Sequence, residues 1–239
     1  MHTATETNVY LYDRPRIIIK VYNHVRFLSI RYIRDCVDRR DYRVYHKPHD
    51  QRANNMHGTY NYYYCIVKSR FGEVTIVWRW PDKKVVRVFL PRQRDLFKSS
   101  VYNSARVLEK SDRNVWNICA KMSSMLQGRP TGFSLDNLDW SATYPFQQRV
   151  LRMEQRIARG MVSTYGRLGS KLGHPRAARA VGTALARNPF PLIIPCHRAV
   201  RSDRSLGGYA GGLAMKRKLL ELEGVEFDQH GRAMNSRFW

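Results

Sequence analysis

Between Asn188 and Arg198 the chain reads Asn-Pro-Phe-Pro-Leu-Ile-Ile-Pro-Cys-His-Arg, and this run constrains the fold more than any other. Asn188-Pro189-Phe190-Pro191 is a rigid turn, and the apolar Leu192–Ile194 that follows predicts a short strand delivering Cys196 directly after a proline. A thiolate is the reactive form of a cysteine; a neighbouring His or Arg stabilises it, whereas apolar burial raises its pKa. On an extended chain Cys196 and His197 point opposite ways, so His197 need not touch the sulfur directly, and a bound water could link them. The alternative is a buried structural cysteine, the commoner fate of an isolated one. Farther on, Leu206–Leu213 sets paired glycines around Tyr209, letting backbone approach a planar ligand while the phenol donates a hydrogen bond; a surface hinge is the competing reading.

The segments around this run are mostly helical: Phe146–Ala158, Tyr165–Leu172, Pro175–Arg187 and Ala214–Glu223. The middle two, joined through Gly173-His174-Pro175, predict a helix-turn-helix, with Gly173 as C-cap and Pro175 in the first turn of the second helix. That second helix is slim, built on Ala177, Ala178, Ala180, Gly182 and Ala184, with Arg176, Arg179 and Arg187 projecting. A slim helix with projecting arginines suits a DNA groove; equally, it suits tight packing on a neighbour with the arginines solvated.

Upstream, residues 60–69, 73–80 and Val85–Leu90 are rich in β-branched and aromatic side chains and predict an antiparallel meander. Residues 113–126 place Val115, Ile118, Cys119, Met122 and Leu126 at helical spacing, and Gln127–Pro130 ends that helix. Asp136–Ser141 reads as a linker. Residues 1–58 hold two apolar stretches, Asn8–Tyr12 and Ile17–Tyr22, then a basic, tyrosine-rich segment with no clear function.

Charge narrows the partner. The 239 residues carry 42 Lys and Arg against 19 Asp and Glu, a formal net of +23. Each basic group that meets a phosphate releases condensed counterion, so nucleic acid fits this excess; a solubilising surface, ribosomal contact or an anionic membrane would also produce it. No apolar run of about 18 residues is present to span a membrane. The N-terminus lacks the basic region and apolar stretch of a secretory signal, so an intracellular location is expected, cytoplasmic in a prokaryote and nuclear in a eukaryote. Cys36, Cys65, Cys119 and Cys196 are scattered without a C-x-x-C pair, pointing to free thiols rather than disulfides or a zinc tetrathiolate. A mixed site from Cys36, His46, His49, His57 and Cys65 has irregular spacing and is set aside; no metal is expected.

Taken together, Tyr165-Gly166, Ala177–Gly182, Asn188-Pro189, Pro191, Ile194–Arg198 and Gly207–Leu213 resemble the O6-alkylguanine-DNA alkyltransferases. The resemblance is strong from about Phe146 to Phe227, including Lys216–Gly224, and weaker over about 60–140. It implies an α/β (α+β) fold: an N-terminal ribonuclease-H-like antiparallel sheet with a helix over 59–141, then a mainly helical domain with the helix-turn-helix over 145–239. Residues 1–58 would be an unassigned basic extension. The implied activity is DNA repair by base flipping and a single, irreversible transfer of the alkyl group from O6-alkylguanine, with O4-alkylthymine a further candidate substrate. The expected working form is a monomer on double-stranded DNA, without cofactor.

The same resemblance implies roles. Cys196 would accept the alkyl group, Glu223 and His197 would draw off the thiol proton through water, and Tyr209 would donate to the departing guanine with Lys216 near the sulfur. Asn188 would hold the turn that shapes the pocket. Arg179 would enter the base stack and Tyr165 would crowd the target phosphate, with Arg176, Ala178, Ala180, Gly182 and Arg198 also on the DNA side. Three departures from the pattern are Ala199, where valine is usual, Gly169 inside the first helix of the helix-turn-helix, which would cost that helix about 1 kcal/mol, and the Gly160–Tyr165 approach, which lacks the charged residues often found there. Residues 1–55 fall outside the resemblance, and Met56 is a candidate start of the working protein. The rivals are a binding module that flags lesions without transfer, a helix-turn-helix regulator, and a cysteine hydrolase.

Overall fold

The computed structural model describes residues 42–43, 61–100, 106–107, 113–234 and 238–239. The stretches Asn8–Tyr12 and Ile17–Tyr22, the candidate start Met56, and Cys36, His46, His49 and His57 lie outside the described residues.

The expected meander forms. β2 (Asn61–Ser69), β3 (Gly72–Trp80) and β4 (Val85–Phe89) pair antiparallel in that order; β1 (Tyr42–Arg43) adds antiparallel to β2, and β5 (Arg106–Val107) pairs parallel with β2. Both faces of β3 are covered, as its unbroken burial from Val74 to Trp78 requires. Val74, Ile76 and Trp78 enter the main core, while Val77 joins Val86 and Phe89 on the other face, where Phe97 of α1 (Arg94–Ser99) packs. α2 (Arg113–Leu126) buries Val115, Ile118, Cys119, Met122 and Leu126, the stripe its spacing predicted. Gly128, at φ +86°, follows it.

The stretch expected to be a linker is instead fastened to the sheet. Leu138 is buried and bridges to Val85, the Asp139 amide donates to the Val85 carbonyl at 2.9 Å, and Arg79 pairs with the Asp139 carboxylate at 2.9 Å. Hydrophilic composition suggested a loose tether; a buried leucine and an ion pair make it part of the β4 edge.

The second half begins with α3 (Pro145–Glu154), then β6 (Ser163–Thr164), α4 (Tyr165–Lys171), α5 (Ala178–Ala186), β7 (Ala199–Val200) and α6 (Leu213–Leu222). β6 and β7 pair parallel. The helix-turn-helix is α4 and α5, with Gly173 at φ +81° between them. α5 starts three residues later than expected. Ala177 donates to the His174 carbonyl at 3.0 Å, closing a separate turn, so Pro175 and Arg176 precede the helix rather than open it. Gly169 also acquires a reason. A Cβ there would lie 2.8 Å from the His174 carbonyl oxygen, so the glycine admits the turn against α4, and the cost expected from helix propensity alone has a packing return.

One hydrophobic cluster runs from Val67 of β2 through α2, α3 and α5 to Leu219 of α6. The cysteine loop, with Phe190, Ile193 and Ile194, sits inside it. No helix among the described residues is long and apolar enough to cross a membrane.

Candidate active site around Cys196

The loop before Cys196 is not the strand expected. Pro191 bridges to Ile194, Leu192 turns back at φ +73°, and Cys196–Arg198 forms a single 3-10 turn. Proline has no N–H to give a ladder, and Pro189, Pro191 and Pro195 break the run too often for a strand. Short local bonds replace the ladder: Ile194 N–H to Phe190, Cys196 N–H to Ile194 and Arg198 N–H to Pro195, each 2.8 Å to the carbonyl oxygen. Asn188 ties the loop shut, its side-chain oxygen accepting from Phe190 N–H at 2.9 Å and its amide donating to the Ile194 carbonyl at 3.1 Å. The Val88 amide of β4 donates to the Pro189 carbonyl at 2.8 Å and anchors the loop to the sheet.

Cys196 is 9% exposed. Burial pushes its thiol up to about 11, more than a hydrogen bond from Asn188 and the nearby Lys216 charge lower it, so at rest the group is a thiol. Beside it, His197 is wholly buried and donates or accepts at 3.1 Å between Nε2 and Glu223 Oε1. Burial lowers the imidazole below its ordinary value, although Glu223 opposes this, so His197 is neutral. Burial alone would raise the Glu223 carboxyl, but His197 and Arg198 more than offset it and bring it to about 2. An ionised Glu223 fixes the tautomer: Nε2 carries the proton, and Nδ1, which has no hydrogen-bonding partner among the described residues, is left as the base. The expected contact between His197 and Glu223 is direct.

Arg198, expected on the DNA side, turns inward. It clasps Glu223 through Nε and a terminal nitrogen, both at 2.8 Å, and donates to the Ile157 carbonyl at 2.6 Å. Its side chain keeps only 11% exposure, so its charge serves the buried carboxylate rather than a phosphate.

Lys216 of α6 is fully buried, donating to the carbonyls of Ala199 at 2.6 Å, Leu206 and, at 3.4 Å, Gly208. Burial lowers its ammonium to about 8, against the pull of Cys196 and Glu154. It thereby pins the glycine-rich loop while keeping a charge near the sulfur. Tyr209 meets His197 edge-on at 6.2 Å between ring centroids, and its buried hydroxyl has no protein partner among the described residues. Gly211 lets the loop close on these side chains: a Cβ there would fall 2.9 Å from the Tyr209 ring and 2.6 Å from the Met215 sulfur, and they would have to shift.

Tyr165 opens α4 and closes the far side of the site. A Cβ on Gly207 would lie 2.7 Å from its hydroxyl, and one on Gly182 would lie 3.9 Å from its ring, so both glycines pack on this tyrosine. Arg176, Arg179 and Ala180 are exposed, and Ala178 is half-buried; none of them joins the buried cluster.

Two groups escaped the sequence reading. Arg159 donates to the Gly128 carbonyl at 2.6 Å and to the Leu222 carbonyl, closing the C-terminal ends of α2 and α6. Glu154 of α3 is fully buried. Its signal was present: Gln147, Val150, Leu151 and Glu154 form one inward stripe, and an acid on that stripe has no solvent. Among the described residues no group of three or more His, Cys, Asp and Glu side chains is arranged to hold a metal ion.

Comparison with known proteins converges on this region. Residues 145–225 match the family described as 6-O-methylguanine DNA methyltransferase, DNA binding domain. A methylated-DNA–protein-cysteine methyltransferase of Methanothermobacter thermautotrophicus is 45% identical over 104 residues, covering 43% of this chain and 57% of that protein. The protein of the same name from Haemophilus influenzae is 45% identical over 86 residues, 36% of this chain and 48% of its own. The chain thus spans about half the length of the curated relatives it matches. The crystal structure of Mycobacterium tuberculosis OGT in complex with DNA superimposes with a TM-score of 0.58 at 29% identity, covering 68% of this chain and 93% of that one.

Proposed function

We propose that this chain, whose residues 145–225 match the DNA binding domain of the 6-O-methylguanine DNA methyltransferases, repairs DNA by moving the alkyl group of O6-alkylguanine onto Cys196. The observation that carries the reading is the buried Cys196–His197–Glu223–Arg198 arrangement beside an unpartnered Tyr209 hydroxyl. As the flipped base enters, His197 Nδ1 takes the thiol proton, directly or through one water, while Glu223 steadies the imidazolium that results. The sulfur forms a bond to the alkyl carbon as the carbon–O6 bond breaks, and Tyr209 donates to the guanine while charge gathers on it. Guanine recovers a proton and the protein keeps a thioether, which has no easy leaving group, so each molecule acts once.

The O6 substituent lies inside the duplex, and the base has to leave the stack before the sulfur can reach it. Arg179, exposed on the slim face of α5, is proposed to enter the gap from the minor groove, with Arg176, Ala178 and Ala180 along the same surface and Tyr165 between this surface and the pocket. The working unit is proposed to be a monomer, with 59–141 supporting and 145–239 carrying the chemistry. Incubating the protein with a duplex bearing one O6-methylguanine should restore guanine in proportion to protein added and then stop. Continued turnover beyond one equivalent would refute the stoichiometric reading.

A further inference from the structure

Glu154 is a buried titratable group that this mechanism leaves unused. It is 0% exposed, and neither carboxyl oxygen has a full hydrogen bond among the described residues. The Ala199 amide faces it and favours its charge, as do Lys216 and Arg198 through space, but among the described residues no cation forms an ion pair with it. An acid in that position is expensive unless it stays protonated or acts on something. Its surroundings are the site itself. Arg198, from the 3-10 turn, is bound to the Ile157 carbonyl one turn beyond Glu154, and Ala199 accepts from Lys216 of α6. The titratable and charged groups coupled to it are Lys216 from α6, Cys196 and Arg198 from the turn, and Tyr165 from α4.

We propose that Glu154 is a positioning residue for the nucleophile: in its protonated form it leaves Lys216 unopposed beside Cys196, and in its ionised form it suppresses the thiolate. The proposal rests on Cys196 being the acceptor, but its test does not depend on DNA. Burial raises the Glu154 carboxyl to about 8, with Lys216 and Arg198 pulling the other way, so the exchange between forms falls just above neutrality. Glu154 acts on the Cys196 thiol more strongly than Lys216 does. Removing the carboxylate therefore favours the thiolate even if Lys216 then gives up its proton earlier. Arg198 does not compensate, because Glu223 already holds it through two bonds. Tyr165, raised to about 12 chiefly by burial, stays neutral throughout.

The experiment is alkylation of the full chain by iodoacetamide, in which a sulfur–carbon bond forms and iodide leaves, with peptide mass spectrometry reading Cys196 alone. Wild type and Glu154→Gln are expected to react alike at about pH 6.5, and the variant about three- to tenfold faster at about pH 9. Glu154→Asp, which keeps a titrating carboxyl, is expected to restore the wild-type profile. Glu154→Leu removes the carboxyl without leaving a buried amide and is expected to follow Glu154→Gln; it serves if the amide variant fails to fold. Superimposable profiles, or one constant ratio at every pH, would overturn the proposal. A failure of alkyl transfer from damaged DNA would instead refute the acceptor role while leaving this profile readable.

Discussion

Cys65 and Cys196 are two cysteines whose thiols burial raises, and the fold surrounds them in different ways. Cys65 on β2 faces Cys119 on α2 within the sheet–helix core, and burial first, then Cys119, pushes its thiol well above the ordinary value. Cys196 is also raised chiefly by burial, yet Asn188 bonds to it, Lys216 charges its surroundings, and a neutral His197 paired to Glu223 adjoins it. Burial therefore does not distinguish the cysteine proposed to accept the alkyl group from one with no proposed role. The difference is made by polar groups that oppose burial and by a base able to receive the proton.

The largest expected effect separates the two directly. Cys196→Ala should abolish alkyl transfer while duplex binding persists, whereas Cys65→Ala and Cys119→Ala should keep transfer rates within about twofold. If either sheet cysteine proved essential, the contrast would fail. Next, Glu223→Gln leaves Arg198 without its carboxylate and frees the His197 tautomer; transfer should slow by about 10²–10⁴-fold and stability should fall by about 3–5 kcal/mol, measured by single-turnover kinetics and denaturant unfolding.

A smaller effect comes from pH. The folded Glu154 carboxyl sits at about 8 against an ordinary 4.5, so the folded state holds a proton that the unfolded chain has released. Its contribution to stability is intact below about pH 4.5 and is lost as pH rises toward 8. Glu154→Leu should therefore raise the melting temperature more at pH 8 than at pH 4.5, relative to wild type. An equal shift at both would show that the carboxyl is not held protonated. The smallest effect is Gly169→Ala, which on helix propensity alone would stabilise α4 but should instead destabilise by about 1–3 kcal/mol, because its Cβ would meet the His174 carbonyl at 2.8 Å.

Local patterns made much of this legible in the sequence. The stripe of Val115, Ile118, Cys119, Met122 and Leu126 is the buried face of α2, and the glycine and small residues around 165–187 do form a helix-turn-helix. What escaped was long-range. A hydrophilic stretch became a docked edge because Leu138 found Val85, and Arg198 turned inward because Glu223, 25 residues away, was waiting for it. The expected strand before Cys196 failed because three prolines deny it ladder donors, a rule that was available in the sequence and outweighed by the run of Leu192, Ile193 and Ile194. Glu154 escaped because its helix was read for apolar residues, and a lone acid on the inward stripe takes on meaning only once the charges of Lys216 and Arg198 reach it through the fold.

The most direct test is intact and peptide mass spectrometry of the protein after reaction with duplex DNA containing O6-methylguanine. The predicted result is one added methyl group per molecule, located on Cys196 and absent with undamaged duplex. An unmodified Cys196, or a methyl group found on Cys65 or Cys119 instead, would contradict the account.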